Sequence, residues 1–381
     1  AVLFTSGSTG PAKGVVYTHA QLAAVRDVLA AHFGITAETG LVTGFAPFAL
    51  LGPALGTRSV TPDMDVSAPR TLTARAVANA VAASGAHMVF LSPAAILNVA
   101  ATAEDLDGAA HAALASVRTF LSTGAPVSET LLTSVARLMP NATAHTPYGM
   151  TECLLVTDID LTGLREAATV DDAGVCVGRP IGSNRVLISP LDDDGAATGE
   201  PTTGPGVLGE IVISAPHLKE RYDRLWLTDV ASRRGTEGLA PPKARWHRTG
   251  DVGHLDAEGR LWVEGRLPHV LRTAQGLVAP VGPEQQIERV AGVRRAAVVG
   301  VGPAGTQQAV AVVETRPGAR RVRLAPADLA EAIRASTALP LAAVLVVPRL
   351  PTDIRHNSKI ERVRLAEWAD RILAGGRLRS P

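Results

Sequence analysis

The chain has 381 residues, enough for two or more domains with a sizeable hydrophobic core. Its formal net charge of +1 gives no indication of a nucleic-acid partner, and no uncharged apolar run reaches the roughly 18 residues of a membrane helix. Two cysteines, Cys153 and Cys176, provide neither a disulfide framework nor a zinc-binding spacing, so we expect a reducing, cytoplasmic compartment.

The first predicted element is a short buried strand over residues 1–4, which runs into a loop rich in hydroxyls and glycines. Glycines let the backbone approach a polyanion, while N–H groups and hydroxyls donate to phosphate oxygens. The residues around Lys13 do not fit the Walker A pattern, because Ala12 precedes it and Gly14 follows it. The alternative is a flexible linker, but apolar residues on both sides favour a phosphate-binding loop. Its predicted binding residues are Thr5, Ser6, Gly7, Ser8, Thr9, Gly10 and Lys13.

Alternating helices and strands are predicted over residues 18–145. A capping box of Thr18 and Gln21 opens a helix that ends before Gly34. Further helices are predicted over 71–86, from an N-cap at Ser92 with Pro93 at the first helical position, and from a cap at Ser128 to about 139. Strands are predicted over 87–91, 118–121 and 142–145. This order predicts an α/β fold with a doubly wound, mostly parallel sheet, whose ligands lie beyond the carboxyl ends of the strands. The segment 41–62 is either a buried crossing loop or the wall of an apolar pocket.

The segment 146–152 (TPYGMTE) follows the last of these strands and combines three useful chemistries. An aromatic face such as that of Tyr148 suits a purine, a hydroxyl such as that of Thr151 suits a phosphate, and a carboxylate such as Glu152 suits Mg²⁺. By itself the segment could also be a tight turn at a strand end. Its position at a carboxyl edge, together with the first loop, predicts a nucleotide site.

Residues 157–206 predict irregular connections, and residues 209–213 predict a strand. Two later segments, 246–253 and 261–266, flank a predicted hairpin turn at 256–259 and contain Asp251 and Arg266. A carboxylate is a natural acceptor for a vicinal diol.

Only four lysines occur among 37 basic residues, and a compact ammonium suits a moving phosphate contact. We assign that role to Lys13 and Lys359, and we expect the other two lysines, Lys219 and Lys243, to be surface charges.

The last segment, 267–381, predicts a small α+β lid. Strands are expected near 296–301, 309–314 and 343–347, and helices near 326–337 and 360–374. Lys359 lies in the segment 351–360 (PTDIRHNSKI), directly before the last predicted helix. An exposed lysine at a helix start is the alternative interpretation of this position.

These segments resemble the signature motifs of the adenylate-forming superfamily, which includes acyl-CoA synthetases, adenylation domains of peptide synthetases and luciferases. The resemblance implies that the protein binds ATP and Mg²⁺, with the first loop on the β- and γ-phosphates. It further implies that Tyr148, followed by Gly149, stacks on adenine, that Thr151 meets the α-phosphate and that Glu152 helps to hold the metal.

The same resemblance implies roles for three later residues and for the domain organisation. Asp251 accepts both ribose hydroxyls, Arg266 lies nearby at the domain junction, and Lys359 bridges the carboxylate and the α-phosphate during adenylation. Residues 1–266 are expected to form the large domain, with a small β-barrel-like part, and residues 267–381 the lid. The N-terminal part of the large domain is expected to be missing, so the sequence is expected to be a fragment.

Within the superfamily, several stretches are similar to the β-lactone synthetases of long-chain olefin biosynthesis: the segment near Pro47, residues 146–149 with Glu152, residues 265–271 and residues 353–359. This similarity implies that a long-chain β-hydroxy acid is closed to a β-lactone with release of AMP and pyrophosphate, in association with other olefin-biosynthesis enzymes. An ordinary acyl-CoA ligase and an inactive nucleotide-binding remnant are the alternatives. Pro268 replaces the usual hinge Asp or Lys, and Gly276 fits a pantetheine-tunnel glycine poorly; both argue against a CoA step.

Overall fold

In the computed structural model, which describes residues 1–5, 11–49, 51–124, 127–170, 172–241, 244–352 and 360–381, the chain begins with an antiparallel hairpin. Its strands are β1 (Val2–Phe4) and β2 (Gly14–Val16). Phe4 lies opposite Gly14, so the two ends of the intervening loop meet at the base of the hairpin. The predicted first strand is confirmed, but its predicted burial is wrong, because the side chains of Val2 and Phe4 are exposed.

The segment that follows alternates helices and strands around a five-stranded parallel sheet. Its elements are α1 (His19–Phe33), β3 (Leu41–Thr43), α2 (Ala46–Ala49), α3 (Leu51–Ala54), β4 (Ser59–Val60), α4 (Ala74–Ser84), β5 (Met88–Phe90), α5 (Pro93–Ala101), α6 (Gly108–Ala115), β6 (Thr119–Leu121), α7 (Glu129–Leu138) and β7 (Thr143–His145), with 3₁₀ helices at Pro69–Thr71 and Ala103–Asp105. The strand order is β4-β3-β5-β6-β7, and every neighbouring pair is parallel. The predicted α/β architecture is confirmed.

Three of these helices begin at the predicted caps. Oγ1 of Thr18 accepts from the backbone of Gln21, whose side chain accepts in return from the Thr18 N–H. Ser92 caps α5 with a proline at the first helical position, and Ser128 caps α7. These local signals set where the helices begin, while apolar side chains pack the helices onto the sheet around the fully buried Phe120.

The middle of the chain adds antiparallel sheets. Its elements are β8 (Tyr148–Met150), β9 (Cys153–Asp158), α8 (Leu161–Ala167), β10 (Val175–Cys176), β11 (Arg179–Pro180), β12 (Arg185–Pro190), β13 (Gly209–Ser214), β14 (Arg221–Tyr222), α9 (Trp226–Ala231), β15 (His247–Leu255) and β16 (Leu261–Arg266). Five of them form a sheet in the order β10-β16-β15-β13-β12, in the place where a β-barrel-like part was expected. Two further sheets have the orders β11-β9-β8 and β1-β2-β14. The prediction of irregular structure over 157–206 holds for 191–206 but is wrong for α8, β10, β11 and β12. The three strands pair with partners distant in sequence, which no local pattern indicates.

The C-terminal segment forms a mixed sheet covered by helices on both faces. After a 3₁₀ helix at Leu267–His269 come β17 (Leu271–Thr273), β18 (Gly276–Val278), α10 (Val281–Glu288), β19 (Val293–Val301), β20 (Gln308–Thr315), β21 (Arg323–Leu324), α11 (Ala327–Ala335), β22 (Leu341–Val346) and α12 (Arg362–Leu373). The sheet order is β19-β20-β22-β21. Ile287 and Ile333 pack on one face, and Leu365 and Trp368 on the other. The α+β character is confirmed, whereas the division into domains at 266/267 stays a prediction.

Two expectations about the environment bear on the fold. Within the described ranges, no helix combines the length and apolar character that crossing a bilayer requires. Cys153 and Cys176 are both buried free thiols. Burial raises the pKa of the Cys153 thiol, and the charge of Glu152 adds to this effect.

Candidate active site

Strands β1 and β2 bring together the two ends of the first predicted loop. The Thr5 N–H donates to the carbonyl of Lys13 at 3.0 Å, and the Lys13 N–H donates to Oγ1 of Thr5 at the same distance. Both residues therefore fix where the loop leaves and re-enters the sheet. The predicted phosphate-binding residues between them that lie outside the described part of the chain are Ser6, Gly7, Ser8, Thr9 and Gly10.

The Lys13 side chain reaches the second predicted motif. Its Nζ lies 3.5 Å from Oε1 of Glu152. Glu152 is only 6% exposed, whereas the Lys13 side chain is 33% exposed. Because Glu152 lies in the turn between β8 and β9, this ion pair joins two hairpins that are far apart in sequence. The structure thus places an ammonium that solvent can reach beside a buried carboxylate, as a site for phosphate and a hard cation requires.

Two residues that the sequence analysis did not select complete this cluster. The hydroxyl of Tyr222 donates to Oε1 of Glu152 at 2.6 Å, and Nζ of Lys219 lies 4.4 Å from the centre of the Tyr222 ring. The prediction that Lys219 is a surface charge is wrong, because it is 3% exposed and donates to Oδ1 of Asp229 at 3.0 Å. Burial lowers the pKa of Lys219, against the opposing effect of Asp229.

A sequence signal for Lys219 was present in the composition. Arginine supplies most of the positive charge of this chain, so each lysine was a candidate for a position that arginine cannot fill. The other lysine interpreted as a surface charge, Lys243, lies outside the described residues.

Two further residues of segment 146–152 are held by the scaffold. The carbonyl of Thr151 accepts from the hydroxyl of Tyr17 at 2.7 Å, which fixes its backbone. A Cβ at Gly149 would lie 2.6 Å from the backbone nitrogen of Leu155. Glycine is therefore required at this position by the close approach of β8 and β9, whatever its role toward a ligand.

A second cluster joins Tyr148, Asp251 and Arg266. The Tyr148 hydroxyl donates to Oδ2 of Asp251 at 2.6 Å, and Nη1 of Arg266 donates to Oδ1 at 2.8 Å. Burial, followed by the charge of Asp251, raises the pKa of Tyr148, so its hydroxyl stays a donor. The structure therefore brings the predicted purine-binding ring against the predicted diol-binding carboxylate.

A buried ion pair supports the turn that precedes Asp251. Oε1 of Glu210 accepts from the Gly250 N–H at 3.0 Å, and Oε2 of Glu210 pairs with Nη1 of Arg248 at 2.5 Å. Gly250 has φ of 72°, a left-handed conformation that favours glycine. From the sequence, Glu210 is predicted only as a strand residue, because nothing local indicates its partner 38 residues away.

The carboxyl ends of β3 and β5 carry aromatic side chains. The ring of Phe90 lies 5.9 Å from that of Phe45 and 4.7 Å from that of Phe48, both in edge-to-face arrangements. Phe45 remains 50% exposed. The segment 41–62 contains the short helices α2 and α3, and its aromatic side favours the pocket wall over a crossing loop. At the end of β6, Ser122 is fully buried, and its Oγ has no partner among the described residues.

The segment with Lys359 and its neighbours 353–358 lies outside the described residues, but the structure shows what holds its two ends. The Glu361 N–H donates to the carbonyl of Pro351 at 3.0 Å, so the chain leaves and returns at one place. Beyond it, Nη2 of Arg362 pairs with Oε2 of the buried Glu284 at 2.5 Å. These contacts anchor the base of the segment to α10 and α12.

The proposed hinge region is locally ordered. Pro268 lies within the 3₁₀ helix that directly follows Arg266, where the Val270 N–H donates to the Leu267 carbonyl at 3.3 Å. Burial, together with the charges of Arg362 and Arg266, lowers the pKa of His269 to about 4, so its imidazole is neutral at pH 7. Gly276, with φ of 117°, starts β18 directly after the hairpin turn.

Comparison with known proteins supplies the context of these clusters. The model of a family described as AMP-binding enzyme matches residues 1–223. Olefin β-lactone synthetases of Stenotrophomonas maltophilia (strain K279a) and Xanthomonas campestris pv. campestris are 40% and 38% identical to this chain. Each alignment covers 97% of this chain and 66% of the relative, so the chain spans less than two thirds of the length of these curated relatives.

The fold is also found among solved structures. The crystal structure of ATP-bound MatB from Rhodopseudomonas palustris superposes with a TM-score of 0.74 at 22% identity, over 98% of this chain and 68% of that one. This similarity covers both the parallel sheet and the C-terminal segment. It confirms the expected architecture.

Proposed function

The chain belongs to the family of AMP-binding enzymes, and from that premise we propose that it activates a fatty-acid-like carboxylate with ATP as an acyl-AMP. The observation that carries this proposal is the meeting of motifs that are far apart in sequence. Lys13 lies against Glu152, and Tyr148 lies against Asp251, which also binds Arg266. Because Tyr148 and Glu152 belong to one hairpin, the two clusters form a single site.

The nucleoside end of the site is the cluster around Asp251. Among the described residues, each carboxylate oxygen contacts one side chain, Tyr148 or Arg266, and keeps acceptor capacity for a second donor. Two adjacent oxygens with free acceptor capacity match the two hydroxyls of a ribose. The ring of Tyr148 offers an aromatic face for the adenine beside it.

The phosphate end is the pair of Lys13 and Glu152. No group of three or more His, Cys, Asp or Glu in the described ranges is arranged to hold a metal ion. One buried carboxylate still fits Mg²⁺, since this ion usually takes one or two protein carboxylates and completes its shell with water and phosphate. We assign Glu152 to the metal and Lys13 to the β- and γ-phosphates. When bound, Mg²⁺ would neutralise phosphate charge.

In the first half-reaction a substrate carboxylate oxygen attacks the α-phosphorus, and the bond to pyrophosphate breaks. Thr151 is assigned to the α-phosphate, with its backbone fixed by Tyr17. Lys359 is assigned to the developing charge between carboxylate and α-phosphate, at the end of a segment whose base is anchored at Pro351 and Glu361.

In the second half-reaction we propose closure of a long-chain β-hydroxy acid to a β-lactone. The β-hydroxyl oxygen attacks the acyl carbonyl carbon, the bond to AMP breaks, and the hydroxyl proton passes to a base or to solvent. Identity of 40% and 38% to olefin β-lactone synthetases along 97% of the chain supports this finer proposal. The reaction is intramolecular, and proximity contributes roughly 7–11 kcal/mol when the geometry is right.

The organisation of the protein is part of the same proposal. Residues 1–266 would belong to the large domain and residues 267–381 to a lid that carries Lys359 over the nucleotide. Pro268 in a 3₁₀ helix favours a lid that rotates less than that of a CoA ligase. We also propose a cytoplasmic location and an association with other olefin-biosynthesis enzymes.

Pyrophosphate release tests the proposal. Purified protein is incubated with ATP, Mg²⁺ and a long-chain β-hydroxy acid, with and without CoA. We expect pyrophosphate release that requires the acid and is unaffected by CoA. A thioester that forms only when CoA is added would instead identify an acyl-CoA ligase, and no release in either mixture would identify an inactive nucleotide-binding protein.

A further inference from the structure

Tyr222 contacts both charged groups of the proposed phosphate end. Its hydroxyl donates to Oε1 of Glu152 at 2.6 Å, and Nζ of Lys13 lies 5.0 Å from the centre of its ring. On the buried side, Nζ of Lys219 lies 4.4 Å from the same ring centre. Two ammonium groups on one aromatic ring restrain its position by cation–π attraction.

Strand β14 brings Tyr222 to this place. Tyr222 pairs with Val15 of β2, directly beyond the phosphate loop, although the two residues are far apart in sequence. The connection before β14 also holds the backbone of the metal-binding turn, because the Lys219 N–H donates to the Glu152 carbonyl at 2.8 Å. Backbone and side chain of Glu152 are therefore fixed by one short segment.

These contacts act on one oxygen of the carboxylate. Tyr222 and Lys13 both approach Oε1, and none of the described residues donates a hydrogen bond to Oε2. A carboxylate held at one oxygen presents the other in a fixed direction. That arrangement suits a cation that accepts a single protein oxygen and tolerates little angular error.

From this geometry we infer that Tyr222, whose ring contacts the Lys219 ammonium, is a positioning residue. It orients Oε2 of Glu152 toward the nucleotide-bound divalent cation. The inference rests on the proposed function, since it takes Glu152 as the metal-binding carboxylate. A merely structural tyrosine would contribute to folding and leave metal affinity unchanged. The two roles are separated by measuring metal binding directly.

The test is the affinity of the purified protein for Mn²⁺ in the presence of ATP, measured by the loss of the free-Mn²⁺ electron paramagnetic resonance signal. Tyr222→Phe keeps the ring for both ammonium groups and removes only the hydroxyl. We expect Mn²⁺ to bind about tenfold more weakly, as befits the loss of one hydrogen bond to a charged group. The matched control is Ser84→Ala, which removes another buried hydroxyl, one that donates to the backbone carbonyl of Ala80 within α4. Its Mn²⁺ affinity should equal that of the wild type.

Glu152→Gln separates this inference from the proposed function. If Glu152→Gln weakens Mn²⁺ binding and Tyr222→Phe does not, the inference is overturned and the metal site stands. If Glu152→Gln binds Mn²⁺ as the wild type does, both the inference about Tyr222 and the assignment of Glu152 to the metal are overturned. Should Tyr222→Phe not fold, Lys219→Met is measured instead, since it removes the ammonium beneath the ring while Arg233 still pairs with Asp229. Weaker Mn²⁺ binding is expected there too, and wild-type affinity would overturn the inference.

Discussion

Asp251 and Arg266 lie opposite each other on β15 and β16, and a 2.8 Å hydrogen bond joins their side chains. Arg266 is the last residue of its strand and directly precedes the 3₁₀ helix of Leu267–His269. The carboxylate proposed to bind ribose is therefore attached to the start of the proposed lid. Nucleotide binding at Asp251 would therefore act directly on the start of the proposed lid, with no secondary-structure element between them.

Asp251→Asn should raise the KM for ATP by about 10- to 100-fold. The amide keeps the size of the side chain but removes the charge, and a hydrogen bond to a charged group contributes roughly 1.5–3 kcal/mol. Initial rates at varied ATP concentration give the value. Asp223→Asn is the control, since that carboxylate is 42% exposed and its ion pairs within the described part of the chain, with Arg221 and Arg224, are 4.0 and 3.9 Å long. An unchanged KM in Asp251→Asn would remove this residue from the ribose site.

Lys359→Ala should lower the rate of adenylation by on the order of 10²-fold or more, because the ammonium is assigned to charge that develops in the transition state. Unfolding should be unaffected, since a charge near a helix start contributes only a few tenths of a kcal/mol. ATP–pyrophosphate exchange and thermal unfolding measure the two effects. Arg364→Ala, at a side chain that is 60% exposed, is the control and should exchange normally. Wild-type exchange in Lys359→Ala would refute the assignment.

Lys219→Ala should destabilise the fold by about 2 kcal/mol. Removing one partner of a buried ion pair typically costs roughly 3–5 kcal/mol, but Arg233 still pairs with Asp229 at 2.6 Å and lessens the loss. Arg221→Ala removes an exposed partner that lies 4.0 Å from Asp223 and should change the free energy of unfolding by less than about 0.5 kcal/mol. Denaturant titration compares them. Equal free energies of unfolding for Lys219→Ala and Arg221→Ala would show that the buried ammonium of Lys219 contributes nothing to stability.

His254 should make stability depend on pH. Burial opposes its protonation, but hydrogen bonds to Glu264 at 2.7 Å and to Asp172 at 3.1 Å outweigh this and raise its pKa. The folded-state pKa lies above the unfolded value of about 6.5, so protonation of His254 stabilises the fold. This stabilisation is complete at pH values below about 6.5. The contribution is lost as the pH rises through the raised pKa.

Thermal unfolding at several pH values above and below neutrality measures this effect in the wild type and in His254→Asn. As the pH rises, the Tm of the wild type should fall further than the Tm of the variant. Parallel profiles for the two proteins would mean that His254 does not carry the dependence. Its ring also stacks on Trp262 with centres 6.2 Å apart, so a uniform offset between the profiles reports packing instead.

The parts of the fold that the sequence predicted carry local signals. Thr18, Ser92 and Ser128 each cap a helix through a side chain that bonds a backbone N–H three residues on, so a short window of sequence is sufficient. The parallel strands alternate with these helices at regular spacing. Segment 146–152 was placed at a strand end for the same reason, and it lies there.

What the sequence did not predict depends on distant pairing. Tyr222 reaches Glu152 only because β14 adds to β2, and Glu210 supports the Asp251 turn only because β13 pairs with β15. Neither pairing has a pattern within the segments themselves. The short strands of residues 157–206 were missed for the same physical reason, since two-residue strands show no periodicity.

Isotope transfer from a β-hydroxy acid with both carboxylate oxygens labelled with ¹⁸O tests the central claim most directly. With ATP and no CoA, mass spectrometry should find one ¹⁸O in AMP and one in the β-lactone. One carboxylate oxygen leaves with the phosphorus, and the ring oxygen comes from the unlabelled hydroxyl. Unlabelled AMP with both ¹⁸O atoms in the lactone would mean that the hydroxyl had been activated instead. Labelled AMP with no lactone, and a thioester once CoA is added, would contradict the account.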